Sequence, residues 1–322
     1  MDILYIIIDA LKYGFPYAML ALGVFITYRQ LDIADLGCEG TFTLGGAVTA
    51  VLLFRGMNPF LATFLSIVCG FLAGLLTGVL HTQLKIPALL SGIITLTGLF
   101  AINMVIMGFG TVNNQSGYSS MVVINRNING IRANTIYDSF KHLFELMHIN
   151  LSNNWSIIIL GLLISFLVLV VVYSFFGTEI GMSVRATGMN IKMARAQGIN
   201  TSLMIILGLG ISNALIALGG SLFTQVNRSA SNTMGVGVIV IGLSSIIIGE
   251  SIFGKKTFKN WILSVTLGAL VYYLIIAVAL ALKMPNHLLK LLYAILIVIV
   301  LSIPLIKELV TKFIKKKKEV TD

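Results

Sequence analysis

Nine stretches of mostly apolar residues divide this chain and limit what it can fold into more than any other feature. A helix needs about 20 such residues to cross a bilayer. The stretches cover 10–28, 36–54, 58–80, 87–109, 155–176, 203–225, 233–249, 261–282 and 288–306. Only 11% of the 322 residues are charged, against about 25% in a soluble domain. The sequence therefore predicts an all-α polytopic membrane protein, a single transmembrane domain over 1–322 with about nine spans, within a range of eight to ten.

Two of the nine stretches differ from an ordinary membrane span. Both 36–54 and 233–249 are rich in glycine and are bordered by acids or amides. Irregular backbone is tolerated at membrane depth only where protein or a water-filled cavity surrounds it. We therefore expect both segments to be broken or re-entrant helices and candidates for lining a translocation path.

The positive residues form short clusters between the apolar stretches, a pattern that orients a chain in a bilayer and does not favour a nucleic-acid partner. Short loops rich in Lys and Arg favour the cytoplasm. One side of the nine-span model collects Arg29, Lys85, Arg185, Lys192, Arg195, Lys255, Lys256, Lys259 and 315–318. That side is predicted to be cytoplasmic, and it includes a basic tail over 307–322 that anchors the last span.

The longest polar interval, 110–154, is predicted to be an extracellular loop. Within it, 121–124 and the turn-forming pair 129–130 predict a small hairpin, and 137–147 predicts an amphipathic helix. Two interpretations of this loop are open. It is either a solvated connection or a docking surface for a soluble partner, with Arg126, Arg132 and Lys141 meeting acids on that partner.

Three acids follow the first span at spacings that place them on one face of a helix. Asp32 and Asp35 are expected in a cytoplasmic loop, where Asp35 caps the next helix. Glu39 lies at the start of the second span, and a charge at the bilayer centre costs roughly 2.5–3.5 kcal/mol. We expect Glu39 to pair either with Arg29 or with a neighbouring segment.

Several other spans contain polar side chains that an amphiphilic solute could meet in a central path. The candidates for the translocation path are Glu39, Thr41, Thr95, Asn103, Asn213 and Gln225. Hydrogen bonding between helices is the commoner explanation for such residues. The glycines at 70, 74 and 78 recur every four residues and predict close packing against another helix.

The most patterned polar stretch, 178–202, reads TEIGMSVRATGMNIKMARAQGINTS and is expected on the cytoplasmic side. Asn190 is suited to open a short helix and Gly198 to end it. Met193, Ala194 and Gln197 would share one face of that helix. A basic cytoplasmic loop without a special role is the plain alternative.

This loop, together with the later GVGVIVIGLSSIIIGESIFG, resembles the permeases of ABC importers of the branched-chain amino acid and ribose type. The resemblance is strongest to the permeases labelled tryptophan or tyrosine importers. It extends over most of the chain and includes LGVFITYRQLDIADLGCEGTFTLGGAV and GLLTGVLHTQLKIPALLSGIITLTGLFAINMVIMG.

The resemblance implies a homodimer or a pseudo-symmetric pair of such permeases in a bacterial cell membrane, two cytoplasmic ATP-binding subunits and an extracytoplasmic substrate-binding protein or lipoprotein. ATP and Mg would be bound by the ATP-binding subunits, and this chain would hold no cofactor or metal. Within a coupling loop over 177–202, the residues implied to couple to the ATPase are Arg185, Ala186, Thr187, Gly188, Asn190, Ala194 and Gly198. Many relatives carry an acid where this chain has Met189, which weakens any polar contact there.

The chain is not expected to be an enzyme. The segment GESIFGKK approaches a phosphate-binding pattern, but Lys256 stands where Ser or Thr should bind magnesium, and no nucleophile, base and acid converge. The resemblance favours an amino acid as the solute, with an aromatic one as the narrower expectation and a sugar or nucleoside as the alternative. An ion-coupled secondary transporter is the alternative from another class, and a membrane scaffold ranks last.

Overall fold

A computed structural model describes residues 3–111, 117–125, 133–146 and 152–281, with the single residues 295, 298 and 302. This part of the chain forms helices α1 (Ile3–Phe25), α2 (Gly37–Phe54), α3 (Pro59–Thr82), α4 (Ala88–Gly108), α5 (Ile136–Leu146), α6 (Asn153–Gly177), α7 (Glu179–Met189), α8 (Ile191–Ala196), α9 (Thr201–Asn227), α10 (Val238–Phe253) and α11 (Phe258–Ala281). A π-helical turn, Ile26–Gln30, extends α1. Strands β1 (Met121–Val123) and β2 (Ser229–Ser231) complete it.

Seven helices within the described ranges are long and apolar enough to cross a membrane, which confirms the all-α polytopic class. The predicted span at 233–249 needs a correction. Turns occupy the chain up to Gly237, which has a φ of 85°, and α10 starts only at Val238 and is 16 residues long. The predicted span 288–306 and the basic tail 307–322 lie outside the residues described in detail. The described part therefore has seven long apolar helices and one shorter apolar helix, α10.

Helices α3 and α9 pack closely through the three predicted glycines. A Cβ atom added at Gly70 would collide with Ala217, one at Gly74 with the carbonyl of Leu209, and one at Gly78 with Ile206. Residue numbers at these contacts increase along α3 while they decrease along α9, so the two helices are antiparallel. The close approach maximises van der Waals contact, which holds helices together where no hydrophobic effect operates between them.

The basic side chains predicted to be cytoplasmic cluster at one end of the bundle, called the basic end here. Arg29 Nη2 lies 2.7 Å from Glu250 Oε2, and the guanidinium of Arg185 lies 4.3 Å from the ring centroid of Phe258. A Cβ added at Gly188 would meet the carbonyl of Gln30, which brings the 178–202 loop to the same end. By the positive-inside rule this end is predicted to be cytoplasmic.

The opposite end, called the sheet end here, corrects the predicted hairpin. Strand β1 does form within 121–124, but it pairs antiparallel with β2, and Met121 lies opposite Ser231. This pairing buries the apolar side chains of Val122 and Ala230 against α2 and α4. A local turn at 129–130 would not provide that apolar burial. Residues 126–132, including Arg126 and Arg132, lie outside the described part. The amphipathic helix predicted at 137–147 is present as α5.

Two glycine substitutions test the packing of α3 on α9. Gly74→Ala is expected to destabilise the protein by about 1–3 kcal/mol, because the added Cβ meets backbone that has no room to move. Gly98→Ala on α4 is the matched control, since a Cβ there has no atom within 4 Å, and alanine favours helix. Thermal unfolding in detergent would measure both. Equal melting temperatures for the two variants would contradict the packing described.

Candidate functional site

The chain turns back on itself between the first two spans. The amide of Leu31 donates to the carbonyl of Ile26 at 3.1 Å, and that of Ile33 to Thr27 at 2.9 Å. Residues 31–36 thus return into the bundle before α2 begins. Helix α2 ends at the sheet end, where Val51 and Leu53 belong to the same apolar cluster as Val122.

A second interruption follows β2 and mirrors the first. The turns that lead into α10 pack along the side of α2, from the sheet end toward the centre of the bundle. A Cβ added at Gly46 would meet Met234, and one added at Gly235 would meet the carbonyl of Glu39. Helix α10 then runs to the basic end, where Glu250 binds Arg29. The two helices therefore start close together and run to opposite ends of the bundle.

The depth of this junction follows from helix geometry. At 1.5 Å per residue, about 22 Å of helix separates Glu39 from Phe54, and about 24 Å separates Gly237 from Phe253. The hydrocarbon core of a bilayer is about 30 Å thick. The start of both helices therefore lies inside the membrane, as predicted for the two glycine-rich segments.

Glu39 joins the two interrupted helices. Its Oε1 atom accepts a hydrogen bond from the amide of Gly237 at 2.9 Å, at the N-terminus of α10, where the helix dipole favours a carboxylate. The predicted pairing with a neighbouring segment is confirmed. The predicted pairing with Arg29 is wrong. Arg29 stays at the basic end, where it binds Glu250, whereas residues 31–36 turn inward and place Glu39 deeper in the bundle.

Asp35 does not lie in a cytoplasmic loop as predicted. Its side chain is buried, because residues 31–36 turn inward. Oδ1 accepts from the amide of Gly37 at 2.8 Å, which confirms that Asp35 caps α2, and Oδ2 accepts from Asn213 Nδ2 at 2.9 Å. Asp32 stays exposed, in a left-handed backbone conformation.

The other candidates for the translocation path are buried in helix contacts. Thr95 receives a hydrogen bond from Thr77 at 2.9 Å, and Asn103 Nδ2 donates to the carbonyl of Gly40 at 3.1 Å. Thr41 bonds the backbone of its own helix. These contacts, with those of Asn213 and Gln225, favour the structural explanation for five of the six residues. Glu39 alone is partly exposed.

Gln225 links the sheet end to the core of the bundle. Its Oε1 accepts from the amide of Ile136 at 2.8 Å, and its Nε2 donates to Thr63 Oγ1 at 2.9 Å. Ser221, one turn earlier on α9, accepts from Thr49 Oγ1 at 2.7 Å. Helices α2, α3, α5 and α9 are thus connected by one group of polar contacts.

An ion pair that the sequence did not reveal fixes α5 beside α9. Arg228, in a left-handed conformation after α9, binds Asp138 of α5. Burial opposes ionisation of Asp138, but hydrogen bonds from Thr135 and the charge of Arg228 outweigh it and hold its pKa below the usual 3.8. The two residues are far apart in sequence, so no local pattern could indicate the pair.

The cytoplasmic loop has the helix caps predicted for it. The side chain of Asn190 accepts from the amide of Met193 at 3.0 Å, and Gly198 follows the end of α8 with a φ of 82°. Thr187 and Ala194 are buried, so their role in this structure is to seat the loop on the bundle. Of the three residues predicted to share one face of α8, Met193 and Gln197 are exposed and Ala194 is buried against the bundle.

The exposed surface of this loop includes a group of apolar side chains among its polar and charged ones, which the sequence analysis missed. Met189 is 85% exposed, Met193 60% and Ile191 43%; these three residues are called the methionine surface here. They stand out by their chemistry, because exposed methionines are typical of adaptable binding surfaces.

A bundle of apolar helices, two of them starting inside the membrane, with a capped helical loop at the basic end, is typical of transport permeases. A family model described as branched-chain amino acid transport system / permease component matches residues 6–301. The chain belongs to this family, and it is the transmembrane permease subunit of an ABC importer in a bacterial membrane.

Known proteins match most of the chain. It is 37% identical over 296 residues to the tyrosine transport system permease protein of Clostridioides difficile (strain R20291), covering 92% of this chain and 90% of that protein. It is 30% identical over 302 residues to an uncharacterized protein of Rickettsia prowazekii (strain Madrid E), covering 92% and 97%. The autoinducer 2 import system permease protein LsrC of Salmonella choleraesuis (strain SC-B67) is 25% identical over 254 residues, covering 77% and 65%.

Asp138→Asn is expected to loosen α5 and to destabilise the protein by about 1 kcal/mol, since Arg228 loses a charged partner. Because the pKa of Asp138 is lowered in the folded state, its contribution is present above pH 3.8 and is lost as the pH falls through that lowered value. The melting-temperature difference from the native chain should therefore be constant near neutral pH and disappear in strong acid.

Glu145→Gln is the control for Asp138→Asn, because it removes the exposed Lys141–Glu145 pair on the same helix. Exposed pairs contribute little to stability. Equal effects of the two substitutions at pH 7, or an Asp138 effect that persists in strong acid, would argue against the assigned role of the ion pair.

Proposed function

We propose that two copies of this chain form the membrane path for an aromatic amino acid such as tyrosine. A substrate-binding protein or lipoprotein delivers the solute from outside, and two ATP-binding subunits, which bind ATP and Mg, drive its passage. The chain itself performs no catalysis. The observation that carries this proposal is the methionine surface on a rigid loop seated against the spans.

The loop is suited to pass mechanical work because it contacts several spans. Gly188 packs against the carbonyl of Gln30 at the end of α1. Arg195 Nε donates to Thr201 Oγ1, at the start of α9, at 2.9 Å, and Arg185 stacks on Phe258 at the start of α11. A force applied to α8 by a partner would therefore reach three helices.

The substrate class rests on relatives. The Clostridioides difficile relative is named as a tyrosine permease, and the family model as a branched-chain amino acid permease. A sugar or nucleoside has less support.

An ion-coupled secondary transporter is the second candidate, since it would require acids inside the membrane. Asp35 and Glu39 meet that requirement by position. Both carboxylates, however, already cap helices, and neither forms an ion pair within the described residues.

Uptake of radiolabelled tyrosine into proteoliposomes would test the proposal. The permease, its ATP-binding subunit and its binding protein are reconstituted together, and uptake is measured with and without ATP. We expect uptake only with ATP and the loaded binding protein. Uptake driven by an ion gradient, with the permease alone, would establish the secondary transporter instead.

Substitutions on the methionine surface test the coupling role. Met189→Glu and Met193→Glu are expected to lower ATPase stimulation by the loaded binding protein at least about tenfold, the effect of losing roughly 1.4 kcal/mol of contact energy, while the variants still insert in the membrane. Met57→Glu is the matched control, because Met57 is an exposed methionine after α2, near the sheet end. Normal stimulation in the two loop variants would refute the assignment.

A further inference from the structure

The negative charge of Glu39 has no counter-ion within the described residues. Glu39 is partly exposed at a depth of about 22 Å of helix from the end of α2. The four ion pairs formed within the described residues all lie elsewhere. Asp35, four residues earlier, is also buried in the bundle and forms no ion pair within the described residues, so two carboxylates share this region.

The exposed part of Glu39 cannot face lipid at low cost. A carboxylate near the bilayer centre costs roughly 2.5–3.5 kcal/mol even on the mildest scales, and irregular backbone such as 232–237 requires protein or water around it. The surface that Glu39 presents therefore faces water or a second protein copy. In transporters, interrupted helices that start at membrane depth commonly form the substrate site.

Capping α10 does not by itself require a carboxylate. A neutral Asn, Ser or Thr oxygen accepts the same hydrogen bond from the amide of a helix start. The negative charge is therefore available for a further task, and a second carboxylate nearby strengthens the attraction for a cationic group.

We infer that Glu39 receives the ammonium group of the transported amino acid as it passes the junction of α2 and α10, an inference that rests on the proposed function. An ammonium ion donates a charge-assisted hydrogen bond to a carboxylate. The contact replaces part of the hydration that the ammonium group loses inside the membrane. It gives this chain a selectivity for amino acids over neutral solutes.

Glu39→Gln is the decisive variant, because glutamine keeps an oxygen that accepts from the amide of Gly237 while it removes the negative charge. In the reconstituted complex we expect stimulated ATPase activity within about twofold of the native level and tyrosine uptake per ATP lowered at least about tenfold, the loss expected for one charge-assisted contact. Asp9→Asn, which removes an exposed acid paired with Lys12 at 3.2 Å, should leave both unchanged.

A measurement on the native complex makes the test independent of whether the variant folds. A water-soluble carbodiimide should modify Glu39, and tyrosine with ATP and binding protein should protect it, as read by mass spectrometry of the peptide. Uptake per ATP equal to native in Glu39→Gln, or absence of protection, overturns the inference. Absence of ATP-driven tyrosine uptake by the native complex instead overturns the proposed function and the inference with it.

Discussion

The first amides of a helix have no partner within that helix, and a bilayer offers no water to replace one. This constraint governs the centre of the structure, where α2 and α10 both begin inside the membrane. Asp35 accepts from Gly37 at the start of α2, and Glu39 accepts from Gly237 at the start of α10. Two acids, four residues apart, thus make it feasible for two helices to start at this depth.

The packing around this junction depends on small residues. A Cβ at Gly45 would meet the backbone of Ala217, and one at Gly220 the carbonyl of Phe42, so α2 lies against α9 almost backbone to backbone. The same helix, α9, packs on α3 through Gly70, Gly74 and Gly78. Helix α9 contacts both α2 and α3, and it connects the 178–202 loop at the basic end to β2 at the sheet end. A displacement of α8 would therefore move contacts at both ends of the bundle.

At the sheet end, polar contacts replace small residues as the connection. Gln225 joins the backbone of α5 to Thr63 of α3, and Arg228 binds Asp138. At the basic end, the loop is seated through Gly188, Arg185 and Arg195. Helix α5 is therefore fixed to α9 at the sheet end, and the loop at the basic end is fixed to the end of α1, to α9 and to α11.

The sequence by itself determined the membrane class, the position of almost every described span, the basic end, the cap of α8 and the family. These features follow from local patterns of hydropathy, charge and capping residues, which do not depend on distant contacts. Only the tertiary structure decided that Asp35 is buried, that Arg29 binds Glu250, that β1 pairs with β2 and that Ala194 faces inward. Each of these depends on residues far apart in the chain, and the side that a residue presents is settled by which helix packs against it.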